Sequence, residues 1–100
     1  MGDGKSMVKD IHVDGAEMID ENGGVWELRY YVRAFDSESG QVIYGVKIEK
    51  VSKSDQKERQ QEASYAIAES YDDAAFIAKK LADGAATPIA LYDLIDEFVG

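Results

Sequence analysis

Apolar and polar residues alternate with a period of two along the first half of the chain and recur at spacings of three and four along its last third. The first pattern specifies strands and the second helices, because side chains alternate across a strand and return to one helix face every 3.6 residues. The clearest strand is Val25 to Asp36, where Trp26, Leu28, Tyr30, Val32 and Ala34 point one way and Glu27, Arg29, Tyr31, Arg33 and Phe35 the other. The even positions form its core face. Gln41 to Ser52 repeats the parity with Val42, Tyr44, Val46 and Ile48 inward. Between them, Glu38-Ser39-Gly40 fits a three-residue loop ending in a left-handed Gly, which pairs Ser37 with Gln41. That register sets Ala34 opposite Tyr44, Val32 opposite Val46, Tyr30 opposite Ile48 and, on the outer face, Arg29 against Glu49.

Upstream, Met7 to Ile19 reads as a first strand through Ile11, Val13 and Ile19, with a bulge near Gly15. Asn22-Gly23 predicts a two-residue type I′ turn, which puts Ile19 beside Trp26 and Val13 beside Val32. Downstream, residues 52–62 lack an apolar face and read as a long polar connection or a solvated strand extension, with a helix from Ser54 as the competing reading. Tyr65 and Ile67 alternate within Ala63 to Glu69, which predicts a short fourth strand.

Two helices follow. Ser70 is placed as an N-cap, Asp72 and Asp73 suit the first turn, Lys79 and Lys80 the last, and Gly84 is the stop signal, with Ala74, Ile77, Ala78 and Leu81 as the buried stripe. In the terminal TPIALYDLIDEFVG, Thr87 is a candidate cap and Pro88 suits the first helical position. Pro88, Leu91, Tyr92, Ile95, Phe98 and Val99 share one face there, opposite Asp93, Asp96 and Glu97. Four strands followed by two helices predict an α+β fold: a four-stranded antiparallel meander with both helices packed on one face. Residues 1–6 are expected to be a disordered N-terminus and residues 7–100 a single α+β domain.

Composition narrows the function. The net charge is −9; residues 1–60 hold nine basic and twelve acidic side chains, giving −3, and residues 61–100 hold two and eight, giving −6. This balance argues against nucleic acid and anionic membranes as partners, since phosphate binding draws on clustered Lys and Arg. Without cysteine there is no disulfide, thiolate nucleophile or cysteine-bound metal. No apolar run approaches the roughly 18 residues of a membrane span, and no signal sequence is legible, so the expected location is the cytoplasm.

The candidate chemistry is sparse. Gly4-Lys5-Ser6 matches the end of a phosphate-binding loop but lacks the first Gly and the preceding strand. His12, between Asp10 and Asp14 on one strand face, is a candidate carboxylate-flanked imidazole, but a solvent-facing polar edge is the favoured reading because the sequence places no nucleophile or second ligand beside it. Asp20 to Gly24 resembles a calcium loop superficially, but the spacing of Gly and the twelfth residue, Tyr31, depart from the pattern. No cofactor or metal site is expected.

The feature left over is the outer face of the second and third strands, where Arg29, Tyr31, Arg33, Phe35, Ile43, Lys47 and Val51 combine residue types favoured at protein interfaces. VIYGVKIEK (Val42 to Lys50) and TPIALYDLIDEFV (Thr87 to Val99) resemble a family of short bacterial proteins of the Firmicutes type, known as a domain of unknown function. The resemblance implies a bacterial source and supplies no activity; where that family often carries His, this chain has Ala90. The leading expectation is a non-enzymatic interaction module, a homodimer or a binder of another protein, acting through this face. The alternatives are a small ligand-binding protein or enzyme using His12 and nearby carboxylates, and third, a weak single-stranded nucleic-acid binder using Arg29, Arg33 and Lys47.

Overall fold

A computed structural model describes residues 8–99, with the side chain of Val99 left out. The N-terminal expectation, the Gly4-Lys5-Ser6 motif and the packing expected of Val99 lie outside the described residues. Strands β1 (Val8–Ile19), β2 (Val25–Asp36), β3 (Val42–Ser52) and β4 (Arg59–Ala63) form one antiparallel sheet in sequence order. Helix α1 (Tyr71–Asp83), a 3₁₀ turn (Pro88–Ala90) and helix α2 (Leu91–Val99) follow. The α+β meander read from the sequence is the observed fold.

The core lies between one sheet face and the helices. Leu28, Tyr30 and Val32 of β2 and Val46 and Ile48 of β3 meet Ala74, Ile77, Ala78 and Leu81 of α1 and Leu91 and Ile95 of α2. Small residues on the α1 stripe let its backbone approach the sheet. The buried Tyr30 hydroxyl donates to the Ala86 carbonyl at 2.7 Å, which ties the link between the helices to β2; among the described residues no buried side-chain nitrogen or oxygen lacks a partner.

The β2–β3 register is the expected one throughout, from Asp36 opposite Val42 to Trp26 opposite Ser52. The first hairpin differs. Its loop has three residues, not two: Asp20 N–H donates to Gly24 O at 2.9 Å, Gly23 N–H to Asp20 O at 3.0 Å, and only Gly23 takes a left-handed φ of 83°. The second hairpin repeats this design with Ser37, Gln41 and Gly40, whose φ is 84°. Asp20 selects the longer loop because its carboxylate accepts from the N–H groups of Asn22 and Gly24 and from the Trp26 indole. Those three bonds also account for the calcium-like spelling of Asp20 to Gly24. Ile19 therefore pairs with Val25, faces outward and is 67% exposed.

The register shift in β1 falls between His12 and Asp14, not at Gly15. Val13 occupies the bulge, so Asp10 and His12 face outward while Asp14, Ala16 and Met18 follow the inner parity opposite Tyr30, Leu28 and Trp26. Glu17 is thereby placed outward, opposite Glu27.

The fourth strand was expected at Ala63 to Glu69 and instead occupies the polar stretch before it, pairing Arg59 with Val51 and Ala63 with Lys47. In this edge strand Arg59, Gln60, Gln61 and Glu62 are all exposed, so its sequence carries no apolar alternation. Residues 64–68 run beside β3 with only a single bridge, Tyr44 to Ala68. Gly45 makes that close passage possible: a Cβ there would stand 2.6 Å from the Tyr65 carbonyl oxygen and 2.7 Å from Ser64 Oγ.

Helix α1 is capped as expected, Ser70 Oγ accepting from Asp73 N–H at 3.2 Å. Its other end departs from expectation. Gly84 has a φ of −92°, and the left-handed residue is Ala85, with φ 49°. Thr87 makes no side-chain cap, because the chain enters through a 3₁₀ turn closed by Ala90 N–H on Thr87 O at 3.1 Å. Pro88 does stand in the first turn. On α2, Leu91 and Ile95 are buried, while Tyr92 and Phe98 stay partly exposed, at 45% and 41%. The Tyr92 hydroxyl donates to Ala63 O at 2.8 Å, fastening this helix to the end of β4.

Candidate interaction surface

The sheet face away from the helices is built by the odd positions of β2, β3 and β4 and by β1 residues that meet them. Arg29, Tyr31 and Arg33 stand in a row on β2, and Lys47 and Glu49 stand opposite Tyr31 and Arg29 on β3. Phe35 and Ile43 face each other at the far end of the hairpin.

Two carboxylates organise the row. Asp10 takes Arg33 Nε at 2.8 Å and Nη2 at 3.1 Å on its two oxygens, and Lys47 Nζ at 3.2 Å. The Arg33 hydrogen bonds, with Lys47 adding to them, hold the Asp10 carboxyl below the usual carboxylate range against the opposing effect of burial. The same pairing raises Arg33. Glu49, only 6% exposed, accepts from Tyr31 Oη at 3.0 Å, Arg29 Nη1 at 3.5 Å and Arg59 Nη1 at 3.1 Å. Burial, and after it the Glu49 hydrogen bond, push the Tyr31 phenol upward. Lys47 Nζ lies 5.2 Å from the centre of the Tyr31 ring, and His12 meets that ring edge-on at 5.5 Å.

The acidic residues of this face, Asp10, Glu17, Glu27 and Glu49, are equalled in number by Arg29, Arg33, Lys47 and Arg59, and Glu17 pairs with Lys53, just past the end of β3, at 2.7 Å. The face is thus electrically balanced on a chain whose net charge is −9. Val51 sits among these side chains at 2% exposure, covered by its neighbours.

A family model, family of unknown function (DUF6514), matches residues 10–100. The chain belongs to that family. No curated protein and no solved structure matches it. The DUF6514 match begins at Asp10 and so takes in both the charge-balanced face and α2.

Of the residues singled out from sequence in this DUF6514 chain, the structure gathers Arg29, Tyr31, Arg33 and Lys47 into one network, sets Phe35 and Ile43 at its end, and covers Val51. It does not assemble His12 with carboxylates. The bulge turns Asp14 to the other face, where its Oδ1 accepts from Gly15 N–H, and Asp10 is committed to Arg33 and Lys47. Among the described residues no group of three or more His, Asp or Glu is placed to hold a metal, and no helix is long and apolar enough to cross a membrane.

Arg59 and Gln61 were missed because β4 was sought too late in the chain. The turn before it was legible in principle: Ser52 and Asp55 are residue types whose side chains close turns, and here Ser52 Oγ accepts from Asp55 N–H and Asp55 Oδ1 from Lys57 N–H.

Proposed function

We propose that this chain is a protein-interaction module that self-associates through the open sheet face, two copies packing sheet against sheet around Tyr31, Arg33 and Phe35. The observation that carries the reading is the charge balance of that face. Two chains of net charge −9 repel, and residues 61–100, which supply both helices, hold −6 of that charge. Contact through the balanced face keeps the acidic helices on opposite outer sides. Its polar side chains are also already fixed in ion pairs, so association immobilises fewer free rotamers. Tyr and Arg are the residue types that anchor interfaces.

Sedimentation equilibrium over a wide concentration range tests this reading, with Tyr31→Glu and Phe35→Glu each placing an unmatched charge on the face. The expected result is a reversible dimer that both substitutions shift to monomer while the near-ultraviolet signal of Trp26 stays native. A strictly monomeric wild-type protein at the highest concentration reached would overturn it.

A further inference from the structure

Beside Tyr31 the open face holds a polar cleft of about 290 Å³ lined by Arg33, Lys47, Gln61, Glu62 and Ala63. Its donors outnumber its acceptors. Arg33 spends Nε and one proton of Nη2 on Asp10, and Lys47 spends one ammonium proton on the same carboxylate. Arg33 Nη1, the remaining Lys47 protons and the Gln61 amide have no acceptor among the described residues. These cations are partly sheltered: the Arg33 and Lys47 side chains are 24% and 14% exposed. No buried side-chain nitrogen or oxygen among the described residues lacks a partner, so these donors reach water in the cleft, and an incoming anion replaces that water.

We propose that this cleft is a binding site for a single carboxylate group, held by Arg33 Nη1, Lys47 Nζ and the Gln61 amide. The charge count selects the class of ligand. Asp10 cancels one of the two cations, and the exposed Glu62 carboxylate at the rim, whose Oε1 accepts from Ala63 N–H at 3.3 Å, opposes the other. With these four charges cancelling, a phosphate dianion would add two uncompensated negative charges, whereas a carboxylate adds one and matches the planar arginine fork. The carboxylate can come from an acidic side chain of a second copy or from a free small acid. The site stands on its own geometry and does not depend on self-association.

The test is a titration with sodium acetate against sodium chloride at constant ionic strength, followed by the side-chain resonances of Arg33 and Lys47 and, in parallel, by sedimentation. Saturable shifts at both side chains are expected. Lys47→Met keeps the aliphatic stem on Tyr31 and should weaken acetate binding about tenfold, the loss of one charge-assisted hydrogen bond. Glu62→Gln, which removes the opposing charge, should tighten it. Acetate that binds and dissolves a dimer identifies the second copy as the natural source; acetate that binds with the mass unchanged identifies a free acid. Saturable binding to a strictly monomeric protein sustains the site while removing self-association. Shifts that rise linearly with acetate, unchanged affinity in a folded Lys47→Met, or tighter binding of inorganic phosphate than of acetate would each overturn the assignment.

Discussion

On the inner face of the sheet Ile48 lies opposite Tyr30 and both are fully buried; one residue further along, on the outer face, Glu49 lies opposite Arg29 and is nearly as inaccessible, at 6% exposure. The same backbone hides an aliphatic side chain on one side and a carboxylate on the other. Ile48 is covered by hydrocarbon from α1 and α2, and its burial is non-directional, worth on the order of 2 to 3 kcal/mol. Glu49 is covered by the side chains that bind it, Arg29, Tyr31 and Arg59, each of which must arrive at the right strand position. The inner face therefore supplies stability, and the outer face supplies an ordered surface at little net energy, since partly exposed ion pairs contribute about 0 to 1 kcal/mol each.

The largest effects should follow that division. Ile48→Ala leaves a cavity between sheet and helices and should cost about 3 kcal/mol, while Arg59→Ala should stay within about 1 kcal/mol although it removes a partner of Glu49. Chemical denaturation midpoints of the two variants check this. A comparable loss in both would mean that the outer network is part of the stabilising core.

The pH profile separates the faces again. Burial, and then the charge of Asp14, push the Tyr30 phenol up to about 12. The folded state thus prefers the protonated phenol, so its contribution is whole below the ordinary tyrosine pKa and is lost as pH climbs from about 10 towards 12. Asp10 moves the other way: its lowered pKa gives stability that is whole above the unfolded carboxylate value and lost as pH falls below about 4. Tyr30→Phe should cost about 1 kcal/mol at neutral pH, through the lost bond to Ala86, and should reduce the alkaline limb to the part that the raised Tyr31 phenol contributes. Asp10→Asn should leave that limb alone and soften only the acid one. Thermal unfolding across pH reads both limbs in one series.

The same contrast explains what was legible in the sequence. Apolar burial writes itself as periodicity, so β2, β3 and the α1 stripe could be read directly, and the β2–β3 register followed from one loop. Polar structure leaves no such trace. Arg59-Gln60-Gln61-Glu62 looks like a connection because an edge strand in water asks nothing of its side chains. The Val13 bulge was displaced from Gly15 because a bulge depends on what lies across the sheet, and the turn length at Asp20 depends on a carboxylate reaching Trp26 six residues away. The outer residues were identifiable as a group from parity, but their pairing was not, since Asp10 and Arg59 come from the two edge strands on either side of the central hairpin.

The smallest expected effect tests how α1 is joined to the link that Tyr30 holds. Ala86 N–H donates to Leu81 O at 2.9 Å and Ala85 N–H to Ala82 O at 2.9 Å, the paired bonds of a helix end that turns through a left-handed residue. That residue is Ala85, at φ 49°, where a Cβ costs about 1 kcal/mol relative to glycine, while the glycine stands one position earlier at φ −92°. Gly84 gains nothing from its freedom there, and a Cβ added to it would meet no atom nearer than 3.9 Å. Exchanging the two, Gly84→Ala with Ala85→Gly, should raise stability by about 1 kcal/mol, a shift of a few degrees in the thermal midpoint. Because Ala86 carries the carbonyl bonded by Tyr30, the gain should shrink if the exchange disturbs that bond, and it should persist in a Tyr30→Phe background if the helix end acts alone.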